Sequence, residues 1–481
     1  SRFGKGFFCM VCFGTGVNKK SRSSVFLKKR GERILTELET LVTKGAALVW
    51  GPGLLVVLLG TGLWFTVVSG FFPLRRAGGI FRAVIRSLFR KREGPGPTPF
   101  EAMSTALGAT VGTGNIAGVS AAILTGGPGA VFWMWIGAFL GMMTKFAEAA
   151  LAVAYHERGE EGFRGGAMYY IKKGLKMPIL ASIWCVLCIG ASFGGGCMAQ
   201  SGAAAESCFA VLSIPQPVVG LLIAVLTAAA IFRKGGSVEK ISGVLVPVMA
   251  ILYITGSAAA LVVFRERLGE AVTLIFEDAF SFRSAAGGFA GLLTARVVRV
   301  GLARGTFTNE AGIGSASIAH GASSEREPGI QGCWGILEVF LDTIVVCTLT
   351  ALVLLAGGCD TAAEAFSGCF GTAGGVFLAA STFLFALAAM IGWAYYGESA
   401  LSFLTKRKSA LYGYRILFCA AGVLGSCIEF GAALGISDMF DGLMAFPNCA
   451  ALIVLSGKVF SAVKGAEKTF SHSRPRFFRR R

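Results

Sequence analysis

Apolar runs separated by short polar stretches fill the chain from about residue 47 to residue 460. A helix needs roughly 20 predominantly apolar residues to cross the hydrocarbon core of a bilayer. On that rule eleven segments are predicted to span: 47–70, 104–125, 129–155, 180–212, 217–232, 242–264, 287–318, 332–357, 375–401, 411–433 and 437–460. The predicted fold class is an all-α polytopic membrane protein. An earlier apolar run, Phe7–Val17, is too short to span and lacks a clear cleavage site.

Two of the eleven segments are predicted to be broken. The second contains GATVGTGNIAG, with Gly108, Gly112, Gly114 and Gly118 in one span. The seventh contains RGTFTNEAGIGS, with Gly305, Gly312 and Gly314 around Asn309 and Glu310. Glycine and polar residues at that density weaken an intramembrane helix, and the freed peptide groups must then face a cavity or an ion. Tight glycine packing in continuous helices is the plainer alternative. The two breaks lie five helices apart, so segments 2–6 and 7–11 read as two blocks, the second inverted relative to the first. Corresponding interruptions in two halves point to a carrier site at the repeat interface. The expected organisation is a basic tail over 1–45, a transporter domain over 46–460 and a basic cytoplasmic tail over 461–481. Within the domain lie an extra helix at 47–70, a first repeat at 104–264 and a second at 287–460.

Composition supports lipid as the solvent. Hydrophobic residues make up 54% and charged residues 15%, with a mean hydropathy of +0.67, whereas soluble domains carry about 25% charged residues. The formal charge of +18 would point to nucleic acid in a soluble chain. Here the basic residues lie in loops and tails, where they set orientation. Placing 71–100, 156–178, 233–241, 319–331, 402–410 and the C-terminal tail inside leaves only Arg265, Arg267 and Arg283 in the opposite loops. The expected location is therefore the inner (plasma) membrane, multi-pass, with a cytoplasmic C-terminus. The odd span count puts the N-terminal tail outside despite its ten Lys and Arg, an exception that long tails allow. Residues 75–92 read as an interfacial helix, with Arg82, Arg86 and Arg90 on one face and Phe81, Ile85, Leu88 and Phe89 mostly on another. Cys9-x-x-Cys12 and Cys185-x-x-Cys188 have metal-like spacing but no second ligand pair, so they read as packing residues. Cys359 and Cys369 share one outer loop, where a disulfide is open to them.

The stretch GTGNIAGVSAAILTGGPGAVFWMWIGAFLGMMTKFAEAALA (112–152) resembles the signature of the alanine or glycine:cation symporter family. The similarity recurs in RGTFTNEAGIGSASIAH (304–320), VFLDTIVVCTLTALV (339–353), IGWAYYGE (391–398) and SDMFDGLMAFPNCAALIVLSG (437–457). It implies a fold of the leucine-transporter type with substrate held between helices 2, 4, 7 and 9. It also implies that Gln200 is the family's pocket glutamine and Trp393 a wall that limits substrate size, with Ala389 one turn before it. This chain departs from the pattern by having Ala388 and Ala389 where Ser-Thr is common, which leaves Na+ or H+ as the coupling ion. It also lacks an Asn near Gly202.

An amino acid is a zwitterion that must exchange water for protein at mid-bilayer. A half-helix N-terminus offers free N–H groups and a positive dipole end to the carboxylate, a role that falls to Gly112, Thr113, Gly114 and Asn115. Asn115 is also suited to capping the second half-helix. Gln200 both donates and accepts, as a zwitterion requires. Phe307 can wall the site, and Asn309 can bond substrate or bare backbone. Thr110, Thr308 and Glu310 are the candidate cation-coupling residues. An ionisable residue inside a span is a functional hypothesis by default, yet Glu310 can instead pair with Arg304 or Lys145 to fix packing. Lys145, Glu148, Glu338, Asp342 and Glu398 read as gate or packing pairs.

These observations predict secondary transport of alanine, D-alanine or glycine by symport, through alternating access and without covalent chemistry or a cofactor. An ion channel would need rings of polar residues along a pore. An intramembrane enzyme would need a metal or triad set that His156, His320 and His472 do not assemble. A transport-inactive amino-acid sensor is a further alternative.

Overall fold

A computed structural model gives the structure of residues 45, 49–89, 96–159, 162–233, 237–280, 288–428 and 430–472. The N-terminal tail apart from Gly45, Cys9, Cys12, Arg90, Arg283 and the chain beyond residue 472 lie outside these described residues. What is described is almost wholly helical, with one two-stranded hairpin pairing Glu157–Arg158 with Phe163–Arg164.

Among the described residues the first long helices are α1 (Pro52–Val68) and the amphipathic α2 (Ala77–Leu88). Ile80 and Val84 are the buried positions of α2, while Phe81, Ile85, Leu88 and Phe89 stay exposed. The predicted first break is present. Helix α3 (Pro99–Thr110) opens with a capping box between Thr98 and Glu101, and α4 (Ala117–Gly126) follows after a 3-10 turn. The two arms are bent by 62°. Next come α5 (Ala130–Ala154), α6 (Pro178–Leu212), α7 (Gln216–Ile231) and α8 (Ser237–Val263). Helix α9 (Arg265–Ala279) lies outside the predicted spans, because charged residues at both ends leave it no apolar run long enough to cross a bilayer. The seventh segment is also interrupted. Helix α10 (Gly288–Asn309) stops, the chain turns through Glu310, Gly312 and Gly314 at positive φ, and α11 (Ser317–Ala322) resumes. Further along come α12 (Pro328–Gly357), α13 (Thr372–Leu404), α14 (Lys408–Gly425), α15 (Phe430–Val454) and α16 (Ser456–His472), with a short helix, Ala362–Phe370, between α12 and α13. The last predicted span, 437–460, crosses a bend of 67° between α15 and α16.

Helices α5, α6, α8, α12 and α13 are each long and apolar enough to cross a bilayer, and the two bent pairs qualify when each is taken as one span. This is the build of an integral membrane protein. Helix α5 packs against α10 and α12, and α13 packs against α6 and α3. Trp184, Trp334, Tyr170, Tyr253 and Tyr396 are fully buried in the resulting core. At one end the backbones of Gly165, just past the hairpin, and Gly321 in α11 touch directly. A Cβ on Gly165 would lie 2.6 Å from the Gly321 Cα.

Candidate functional site

At the first break Gly112 is extended (φ −121°, ψ −158°) and the 3-10 turn Thr113–Asn115 follows. Peptide groups released by unwinding need partners. The Gly112 N–H donates to Asn115 Oδ1 (3.1 Å). Both the N–H and the hydroxyl of Thr113 donate to Gln200 Oε1, each at 3.1 Å. Gln200 can approach because Gly112 has no side chain: a Cβ there would sit 2.8 Å from that oxygen. Within α6 the glycine run forms a π-helical turn, Gly194–Ala199, immediately before Gln200. Such turns commonly re-aim side chains at functional sites.

The second break is satisfied in the same way. Asn309 Oδ1 accepts from the Ala311 N–H (3.0 Å), and Glu310 Oε2 accepts from the Ser315 hydroxyl (2.5 Å). Glu148 Oε1 accepts from the Gly312 N–H (2.9 Å), while Asn448 Nδ2 donates to the Gly312 carbonyl (2.8 Å). The Trp184 indole N–H donates to the Ile313 carbonyl (3.2 Å).

Between the two breaks lies a cavity of about 90 Å³. Gly112, Thr113, Gly114, Gln200, Phe307 and Trp393 line it, as do Thr110, Thr308 and Glu310. Arg304, Ile313 and Asp441 also line it, among small residues such as Ala109, Ala117 and Ala199. Three expected residues lie off the cavity. Ala389 is buried in α13. Asn115 faces away, its amide donating to Asp342 Oδ1 (2.7 Å) and to the Asp342 carbonyl (3.2 Å). Asn309 donates at 3.4 Å to the Thr343 hydroxyl, which in turn donates to Asp342 Oδ2 (2.7 Å). Asp342 thus joins the two breaks through a second π-helical turn, Phe340–Cys347. It is fully buried and forms no ion pair among the described residues. The expected gate or packing pair therefore has no ionic partner for Asp342 among the described residues, and its contacts are Asn115 and Thr343 instead.

Asp441 was also missed, although an acid within the apolar run SDMFDGLM was a usable signal. Glu310 forms neither of the ion pairs considered for it among the described residues. Lys145 instead lies 3.3 Å from Glu338 and 3.9 Å from Glu148, and the Arg304 guanidinium lies 6.0 Å from the Phe307 ring centre. Glu398 pairs in bidentate fashion with Arg415 (2.6 and 2.8 Å). Cys359 and Cys369 are free thiols, as are Cys185 and Cys188.

Residues 35–478 match the model of the family described as the sodium:alanine symporter family. The chain belongs to the sodium:alanine symporter family. Among its relatives in that family is the sodium/alanine symporter AgcS of Methanococcus maripaludis, 37% identical over 444 residues that cover 88% of this chain and 96% of AgcS. Another is GlnT of Bacillus subtilis, named as a probable sodium/glutamine symporter. It is 35% identical over 439 residues, which cover 89% of this chain and 90% of GlnT. The crystal structure of MhsT in complex with L-phenylalanine superposes with a TM-score of 0.51 at 15% identity, covering 79% of this chain and all of that one. That likeness shows the fold of the symporter, which is of the leucine-transporter type.

Proposed function

We propose that this symporter carries alanine, D-alanine or glycine into the cell together with Na+. The observation that carries the reading is the cavity between two unwound stretches, lined by Thr113, Gly114, Gln200 and Trp393. A water needs roughly 10–15 Å³ of such space, so the cavity, about 90 Å³, suits a solute of some six to nine heavy atoms. Alanine has six. The Gly114 N–H serves the carboxylate, Thr113 is held on the cavity wall through its two hydrogen bonds to Gln200, Phe307 walls the site, and the relative named a sodium/alanine symporter supports the substrate class.

For the cation, the reading of Thr110, Thr308 and Glu310 as coupling residues is supported by their place on the cavity wall. Asp342 joins them in this proposal. Na+ favours hard oxygen ligands, and a buried carboxylate is stable only when its charge is compensated. Asp342 lies against Asn115 and Thr343, so Na+ bound there would bring both breaks under the control of one ion. The reading also includes eleven spans, a five-plus-five inverted repeat with the boundaries 104–264 and 287–460, residence in the inner membrane and a cytoplasmic C-terminus. These are supported by the two interruptions and by the asymmetry of basic residues between loops.

Uptake of labelled alanine into proteoliposomes tests the proposal. A Na+ gradient should drive accumulation, and glycine should compete for it. Accumulation driven by a proton gradient alone would reject Na+ as the coupling ion. Effective competition by tryptophan-sized amino acids would reject the substrate size.

A further inference from the structure

Gly312 sits between two cavity residues, Glu310 and Ile313, and takes φ +98°, a conformation that favours glycine. Its peptide groups are gripped by side chains from two other helices. The N–H goes to Glu148 of α5 and the carbonyl to Asn448 of α15, at 2.9 and 2.8 Å. The grip is closed on itself, because Asn448 Nδ2 also donates to the same Glu148 oxygen at 2.7 Å. Tyr170 of the short helix Ala167–Gly174 donates to Asn448 Oδ1 and so fixes which end of that amide faces Gly312. All three side chains are buried, and none lines the cavity.

A second set of contacts runs to the far side of the break. Lys145, one helical turn from Glu148, lies 3.3 Å from Glu338 Oε1 of α12. Glu338 Oε2 is 2.7 Å from His320 Nε2 of α11, and His320 Nδ1 is 2.7 Å from Gln331 Nε2. One ammonium is therefore shared between the carboxylate that holds Gly312 and the carboxylate that holds the helix resuming after the break.

We infer that Glu148 and Asn448 are positioning residues for transport: by holding both peptide groups of Gly312 they set the backbone that aims Glu310 and Ile313 at the cavity. Lys145 supplies the countercharge that ties this clamp to α11. The link to substrate rests on the small-amino-acid reading above, whereas the clamp itself does not. The essential feature is the acceptor oxygen at residue 148. A glutamine keeps that oxygen and an alanine removes it.

The test uses the purified full chain as wild type, Glu148→Gln, Glu148→Ala and Asn448→Ala. Two quantities are read on the folded, monodisperse fraction: hydrogen–deuterium exchange of peptides covering 305–322, and equilibrium binding of labelled alanine in Na+. Glu148→Ala and Asn448→Ala should each speed exchange across 311–315 at least tenfold and weaken alanine binding at least tenfold. Glu148→Gln should stay within threefold of wild type in both. A merely structural role would lower the yield of folded protein and leave affinity per folded molecule unchanged. That result overturns the inference, as does a Glu148→Gln protein as impaired as Glu148→Ala. If Glu148→Ala gives no folded fraction, Asn448→Ala decides by the same two readings. If the wild type binds no alanine, the substrate reading fails and exchange alone judges the clamp.

Discussion

The indole of Trp393 occupies the space that a side chain at Gly196 would need. A Cβ on Gly196 would stand 2.7 Å from Trp393 Cδ2 and closer still to other atoms of that residue. The π-helical turn of α6 and the cavity face of α13 are therefore fitted to each other through one missing side chain. Gly196→Ala should displace Trp393 and reduce alanine uptake strongly at normal expression. Trp393→Ala should have the opposite character. Each additional buried methylene is worth about 1–3 kcal/mol in a hydrophobic pocket. Amino acids with longer side chains should then compete at least tenfold better against labelled alanine, and unchanged competition would remove Trp393 from the size filter.

Gln200 Oε1 accepts two hydrogen bonds from Thr113. Gln200→Ala leaves both donors without that partner, and an unsatisfied buried donor costs about 1–3 kcal/mol. The KM for alanine should rise roughly 5- to 150-fold, since about 1.4 kcal/mol is tenfold in affinity. Gln200→Glu keeps an acceptor at the same reach and should lose less. Saturation curves at fixed Na+ measure both.

Asp342→Asn keeps the shape of the link between Asn115 and Thr343 while removing its charge. If a cation is held there, half-saturation for Na+ should shift upward at least tenfold, with a smaller change in alanine affinity at saturating Na+. Uptake measured against a Na+ series shows which occurs. An unchanged Na+ dependence would return the coupling role to Thr110, Thr308 and Glu310 alone.

His156 lies beside the hairpin, its ring stacked on Phe163 at 4.2 Å between centres. Burial holds its imidazole below the usual range; a hydrogen bond with the Gly321 backbone opposes this, and the positive charges of Lys173 and Arg326 add to it. The unfolded imidazole, near pKa 6.5, takes its proton first as pH falls, so stability is lost on descending through that value. The thermal midpoint of the wild type in detergent should fall more between pH 7.5 and about 5.5 than that of His156→Phe. Parallel curves for the two proteins would refute the assignment.

The breaks were legible because glycine and polar residues interrupt apolar runs at two places, and a run of that kind has few other uses in a bilayer. Gln200 was legible from the family resemblance and from an amide that both donates and accepts. The sequence could not reveal Asp342 as a link, since the partner of a buried carboxylate depends on which helices meet. Nor could it separate Asn115 and Asn309, which hold the breaks from behind, from the neighbours that face the cavity: one residue of rotation decides between them. Helix α9 escaped because a polar amphipathic helix leaves no hydropathy signal. The bend after Val454 escaped because the apolar run continues through it.

Between Gly165 and Gly321 there is no side chain to absorb a change in distance. A shift of α11 must push the loop beyond the hairpin directly, as one rod end moves another. The paired strands Glu157–Arg158 and Phe163–Arg164 thus lie beside the direct backbone contact to the second break. A fluorophore carried near Arg158 would follow occupancy of the interior from the surface, without any label entering the cavity.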